Sequence, residues 1–218
     1  MKSIVIRCDA SNYIGSGHII RSRTLARELM RKGDKVTFIC RNHLGNMIKD
    51  LEKEFKVLKL AKKAKNPIID NDKNPVDWLC CSQSEDANDC IEVLNKLEHE
   101  TIDMIIVDHY GIDIEWESQL MKSSGFKIKP KLLVIDDLAN RKHCANILLD
   151  QNFYGEYEKD RYDKLVPKHC KQLLGPKYAL LGSEYEKLNK SSSRRSIVKR
   201  ILIYFGGVDK YHLIDKTL

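Results

Sequence analysis

No stretch of the 218 residues approaches the ~18–20 consecutive apolar side chains that cross a bilayer, which argues against a helical membrane span. An apolar leader is missing as well. Met1-Lys2-Ser3 passes straight into the strand-like Ile4-Val5-Ile6, so no signal peptide is expected and the chain is placed in the cytoplasm. Its seven cysteines (8, 40, 80, 81, 90, 144 and 170) are odd in number and contain no C-x-x-C pair, which fits reduced thiols better than disulfides or a zinc site. Proline (5) and glycine (11) are too few for a fibrous or low-complexity chain, and 42% hydrophobic with 32% charged residues is the composition of a folded globular protein.

Charge of one sign is only mildly in excess. Lys+Arg 38 against Asp+Glu 31 leaves +7, compatible with an anionic ligand without identifying one. Part of that excess lies in Lys187 to Arg200 (KLNKSSSRRSIVKR), where six basic residues and three consecutive serines read as a solvated linker. Nucleic-acid binding calls for a basic stripe with stacking aromatics, and this segment has none, so no nucleic-acid partner is expected.

What the chain does have is alternation. Ile4-Val5-Ile6 is followed by a Gly/Ser/Asn-rich loop and a helix from about His18 to Lys32, on which Ile19, Leu25, Ala26, Leu29 and Met30 recur at helical spacing before Gly33. Further strands are expected at 36–40, 55–60, 102–107, 132–135, 147–149 and 201–205, with helices near 44–53 and 84–99. Continuous apolar strands alternating with amphipathic helices specify an α/β fold: a parallel, Rossmann-like sheet covered by helices on both faces. Ile201-Leu202-Ile203-Tyr204-Phe205-Gly206-Gly207 restarts the pattern that opened at residue 4. The expected organisation is therefore a Rossmann-like domain over 1–186, a basic linker over 187–200, and the first strand and glycine loop of a second domain over 201–218. A complete second domain would need on the order of a hundred more residues.

In parallel α/β sheets ligands bind at the carboxyl ends of strands. After the first strand come Asp9, then Gly15-Ser16-Gly17-His18, with Arg21 one turn further. Gly15 and Gly17 allow close backbone approach, and the helix start offers free N–H groups to an anion. His18 stands at that start, where the helix dipole disfavours a charged imidazole and favours the neutral form that a general base needs. Arg21 shares its helix face and could hold a phosphate or carboxylate; the plainer alternative is that both residues cap and solvate the helix. A dinucleotide cofactor is disfavoured because Ile20 takes the place of the third fingerprint glycine, so no cofactor is expected. Asp108, Tyr110, Asp136 and Asp137 follow later strands and could bind hydroxyls or amides, although aspartates there also cap helices. Asp150-Gln151-Asn152 is a third polar cluster. The histidines and cysteines show no metal-ligand spacing, so no metal is expected.

Six stretches in chain order carry a family resemblance. They are Arg7-x-Asp9-Ala10-Ser11-x-x-Ile14-Gly15-x-Gly17-His18-x-x-Arg21, Asp108-x-Tyr110, Ile135-Asp136-Asp137-Leu138-Ala139-x-Arg141, Asp150-Gln151-Asn152, Leu174-Gly175-Pro176-x-Tyr178-Ala179-Leu180-Leu181 and Phe205-Gly206-Gly207-x-Asp209. Together they resemble the PseG-type UDP-sugar hydrolases of pseudaminic acid biosynthesis, which are related to the MurG-like glycosyltransferases of the GT-B fold. The resemblance implies the N-terminal half of a GT-B architecture and a metal-independent, inverting release of UDP from a UDP-linked 2,4-diacetamido-2,4,6-trideoxyhexose. It implies His18 as the catalytic base and Tyr110 as a sugar contact. Asp9, Gly15, Gly17, Arg21, Asn152, Gly206 and Gly207 are implied as substrate-binding positions. The sequence departs from the family pattern at Gly182, where an arginine is usual. In this fold the second domain supplies most nucleotide contacts, so the alternatives are a non-catalytic acceptor-domain subunit, a fragment needing a second polypeptide, or a related UDP-sugar glycosyltransferase.

Overall fold

The computed structural model describes residues 1–63, 75–97, 101–123, 125–158, 160–185, 197–204 and 212–218. Seven strands, β1 (Ser3–Cys8), β2 (Lys35–Arg41), β3 (Lys56–Leu60), β4 (Met104–Asp108), β5 (Lys131–Ile135), β6 (Ile147–Asp150) and β7 (Lys171–Leu174), form one sheet in the order β3-β2-β1-β4-β5-β6-β7. Every neighbouring pair is parallel. The chain first winds outward from β1 to β3, then crosses back to place β4 on the other side of β1. The loops after β1 and β4 diverge there and leave a crevice, the place where such sheets bind ligands.

Period-two alternation sorts the strand residues onto two covered faces. Ile4, Ile6 and Cys8 of β1, with Phe38, Cys40, Ile106, Leu133 and Ile135, pack on Ile19 and Ala26 of α1 (Gly17–Arg31) and on Leu51 of the single-turn α2 (Ile48–Leu51). Val5, Ile39, Ile105, Val107, Leu132 and Val134 point the other way. They pack on Ala87, Cys90 and Leu94 of α3 (Gln83–Asn95) and on Trp116 and Leu120 of α4 (Ile114–Lys122). Each fully buried Ile or Leu in these layers contributes about 1.5–3 kcal/mol. Among the described residues no helix is long and apolar enough to cross a membrane.

The boundaries differ from the sequence expectation where tertiary contacts override local pattern. The helix expected over 44–53 shrinks to Ile48–Leu51, because Gly45 turns the chain through a positive φ of 79° just after β2. β7 was not anticipated: Lys171-Gln172-Leu173-Leu174 is short and half polar, and only pairing with β6 makes it a strand. Nor was α4, whose buried apolar residues are just Trp116 and Leu120. Residues 201–204 pair with no strand of this sheet, and Ile201 and Leu202 stand 79% and 91% exposed. Gly206, Gly207 and most of the basic linker lie outside the described residues.

Beneath the crevice a buried ionic cluster joins four elements. Asp86 of α3 accepts Nε and Nη2 of Arg7 at 3.2 and 2.9 Å, Nε of Arg41 at 3.1 Å and the indole N–H of Trp116 at 2.9 Å. Both guanidinium groups are fully buried. Burial alone would raise the Asp86 carboxyl, but the Arg7 and Arg41 charges hold it down at about 2, against 3.8 for an unperturbed aspartate. An acid depressed in this way stabilises the fold above its unfolded value and loses that contribution as pH falls toward the folded one.

Asp86→Ala removes the acceptor shared by three buried side chains, Arg7, Arg41 and Trp116, and is expected to cost roughly 3–5 kcal/mol in urea unfolding at neutral pH. In the parent protein the Asp86 contribution is expected to be complete at neutral pH and to fade as pH falls from 3.8 toward 2, followed by the urea midpoint.

Candidate active site

The loop from β1 to α1 is shaped by its own residues. Ser11 Oγ accepts the backbone N–H groups of Tyr13 and Ile14, and Gly15 N–H returns to Ser11 O at 2.9 Å. Gly15 takes a φ of 78°, which a side chain resists. Gly17 has an ordinary φ and a Cβ there would meet nothing within 4 Å, so open space rather than backbone strain distinguishes it. The helix that follows is left uncapped. Ser82 closes a capping box on α3 and Asp113 caps α4, whereas Ser16 makes no side-chain cap on α1 and no acid stands in its first turn. The free N–H groups and positive dipole end of α1 therefore face the crevice unneutralised, as an anion would require.

His18 lies in that first turn, 5% exposed. Its Nδ1 is 2.6 Å from Asp108 Oδ1 at the end of β4, because β1 and β4 are paired with Cys8 opposite Asp108. Two acceptors would repel at that distance, so Nδ1 carries a proton, and in the neutral imidazole Nε2 is the nitrogen that holds the lone pair. The contacts of His18 with the described polar groups run through Nδ1, to Asp108 and, at 3.3 Å, beside Arg21 Nη2. Asp108 also accepts Arg21 Nε at 2.8 Å, Arg21 Nη2 at 2.6 Å and Ser22 Oγ at 3.0 Å. Burial works to raise the Asp108 carboxyl, but His18 and Arg21 outweigh it and hold the group well below the usual carboxylate range.

Aromatic rings close the crevice. Tyr110, two residues past β4, stands edge-on to His18 with ring centroids 4.5 Å apart. Burial, and then the neighbouring Asp137 carboxylate, push its hydroxyl above the ordinary phenol range, so it stays a neutral donor. Trp78 completes the wall, 5.6 Å from Tyr110 and 6.2 Å from His18.

The structure redistributes several expected roles. His18, Tyr110, Gly15 and Gly17 come together at the crevice. Arg21 is there too, but its guanidinium is spent on Asp108 and on Asp137, 2.9 Å from Nη1, so it positions His18 and Tyr110 instead of offering a free charge to a phosphate. Asp9 is fully buried under the loop, where its carboxylate accepts Arg41 N–H at 2.7 Å and pairs with Arg7; this corrects its placement as a ligand contact. Asp108, Asp136 and Asp150 are likewise turned inward. Asp136 is occupied by Arg141, Tyr162 and Ala139 N–H, and Asp150 by Tyr162 and Arg161. Asn152 is exposed on the loop after β6, two strands from β4, and its amide reaches Tyr154 Oη at 3.4 Å rather than His18. Trp78 was missed, since nothing in the local pattern around it shows that a 3-10 turn (Pro75–Leu79) carries it to the β1/β4 crevice.

Fold and site together define a parallel α/β domain with a His–Asp pair at its topological switch point. No family model matches the chain. It is 27% identical over 206 residues to the UDP-2,4-diacetamido-2,4,6-trideoxy-beta-L-altropyranose hydrolase of Campylobacter jejuni, covering 94% of this chain and 61% of that protein. It is 26% identical over 220 residues to an uncharacterized protein of Methanocaldococcus jannaschii, covering 99% of this chain and 39% of that one. The chain thus spans about three fifths and two fifths of the length of these relatives. Among solved structures, MurG of Acinetobacter baumannii overlaps 72% of this chain with a TM-score of 0.44 and 10% identity, covering 44% of MurG.

Gly15→Ala is expected to lose about 1–2 kcal/mol of stability, because alanine must adopt the left-handed backbone. Gly17→Ala is expected to leave stability within about 0.5 kcal/mol of the parent, because its Cβ enters open space. Thermal unfolding of the two variants separates a turn requirement from a ligand-approach requirement.

Proposed function

We propose that this chain carries the catalytic base of a UDP-sugar hydrolase acting on a UDP-linked 2,4-diacetamido-2,4,6-trideoxyhexose. The observation that carries the reading is the His18–Asp108 pair beside the uncapped start of α1, and the hydrolase named for the Campylobacter relative supports the choice of substrate. In this reading His18 Nε2 accepts a proton from water as the water oxygen bonds to the anomeric carbon. The anomeric C–O bond breaks and its electron pair leaves on the β-phosphate oxygen of UDP. Attack opposite the leaving group inverts the anomeric centre. Asp108 holds the Nδ1–H tautomer and stabilises the imidazolium that forms. The N–H groups of Gly17 and its neighbours meet the diphosphate, whose developing charge needs electrostatic stabilisation more than a proton. Tyr110, a neutral donor against the base, contacts the sugar. Asn152, Gly206 and Gly207 remain proposed outer contacts of the same ligand, toward the nucleotide side, as in a GT-B arrangement with residues 201–218 opening a second domain.

UDP release from that substrate is the decisive assay. His18→Asn is expected to lower kcat by about 10²–10⁴-fold. Asp108→Asn is expected to lower kcat by roughly 10²-fold or more, because it removes the charge that holds the Nδ1–H tautomer and stabilises the imidazolium. Proton NMR of the fresh product should show the inverted anomer, and EDTA should leave the rate unchanged. A rate insensitive to His18→Asn would overturn the assignment of the base. Transfer of the sugar to an acceptor other than water would replace the hydrolase with a glycosyltransferase.

A further inference from the structure

We propose that Trp78 is a specificity-determining wall that packs against the methyl-bearing, apolar side of an N-acylated 6-deoxy pyranose bound at His18. This deepens the preceding reading and rests on it. Trp78 is half-buried, tilted 35° to Tyr110 and set edge-on to His18, so the two aromatic rings and the imidazole form three sides of one cup. Its turn is firmly held. Leu79 is fully buried beside it, Cys80 follows with a left-handed φ of 58° and donates its N–H to Asp77 O at 3.1 Å, and the Ser82–Glu85 capping box starts α3 directly after.

The polar work of the cup is done elsewhere, by His18 Nε2 and the Tyr110 hydroxyl, and no described residue accepts a hydrogen bond from the Trp78 indole. What Trp78 presents is apolar ring surface. Pyranose C–H groups and methyls pack well on such a ring, whereas an added hydroxyl there must be desolvated without a partner. A ring within 6.2 Å of the proton-accepting imidazole meets the sugar being cleaved, because uracil is separated from the anomeric carbon by a diphosphate and a ribose. The substrate named for the Campylobacter relative carries a C6 methyl and two acetamido methyls, the groups such a wall accepts.

The chain supplies its own probe. It has two tryptophans, and Trp116 is 1% exposed with its indole bonded to Asp86, so a ligand-induced change in emission reports on Trp78. Free 2,4-diacetamido-2,4,6-trideoxyhexose is expected to change the emission saturably in the parent protein and not in Trp78→Phe, whereas UDP alone leaves it unchanged. In UDP release, Trp78→Ala is expected to raise KM roughly tenfold with kcat within about threefold, and Trp78→Phe to recover most of the loss. The preference for the 6-deoxy substrate over the same UDP-sugar bearing a 6-hydroxyl should fall by about tenfold or more in Trp78→Ala, within the range a single added hydroxyl in an apolar pocket supports. A folded Trp78→Ala with unchanged KM and unchanged preference would overturn the proposal, as would an emission change driven by UDP and not by the sugar. If the parent protein releases no UDP at all, the hydrolase reading falls, while the sugar titration still decides whether Trp78 lines an acylated-sugar site.

Discussion

Asp108 is the group on which the crevice depends. It ends β4, is sealed from solvent, and receives the imidazole of His18, two nitrogens of Arg21 and the hydroxyl of Ser22. A carboxylate in that position would be costly without partners, and the partners all come from α1. The same bonds that make its burial tolerable therefore fix α1 against the sheet edge, set the tautomer of His18 and direct Nε2 toward the opening. Structural satisfaction and chemical orientation are one arrangement here.

A second buried carboxylate layer supports the first from below. Asp9 and Asp86 hold Arg7 and Arg41 between the ends of β1 and β2 and the start of α3. His109, next to Asp108, turns inward with its Nε2 3.4 Å from Asp9, and burial lowers its proton affinity so that it stays neutral. The consequence is a division of labour along β4 and its loop: Asp108 holds the His18 imidazole, His109 joins the floor, and Tyr110 stands against His18. Three consecutive residues face three ways because the strand ends between the first and the second. Charge inside the floor is balanced, with Arg7 and Arg41 set against Asp9 and Asp86.

Much of the fold was legible from periodicity. Apolar runs at 4–6, 36–40, 132–135 and 147–149 had to be buried on both faces, which requires a parallel sheet covered by helices. The first helix was equally clear, bounded by a Gly/Ser loop and by Gly33. Elements with weak local signals were not: β7 exists because β6 offers it hydrogen bonds, and α4 because Trp116 finds both a core and an acceptor in Asp86. Tyr110 and His18 were legible as chemistry at strand ends. Trp78 was not, because a residue between β3 and α3 reaches the β1/β4 crevice only through the path of its turn.

The amino-acid order determined the sheet, its two apolar faces and the set of polar residues placed after the strands, since hydrophobic period and strand-end position are local properties. Which of those polar residues would face a ligand was decided by tertiary structure. Asp9, Asp108, Asp136 and Asp150 look alike in sequence, four acids at or just past strand ends, yet each is buried by the cations and hydroxyls that surround it. Among the described residues the polar contacts of His18 run through Nδ1 and leave its other nitrogen to the crevice. The difference lies in how many donors the fold brings within reach of each group, and donors from distant segments are counted only once the chain has closed around them.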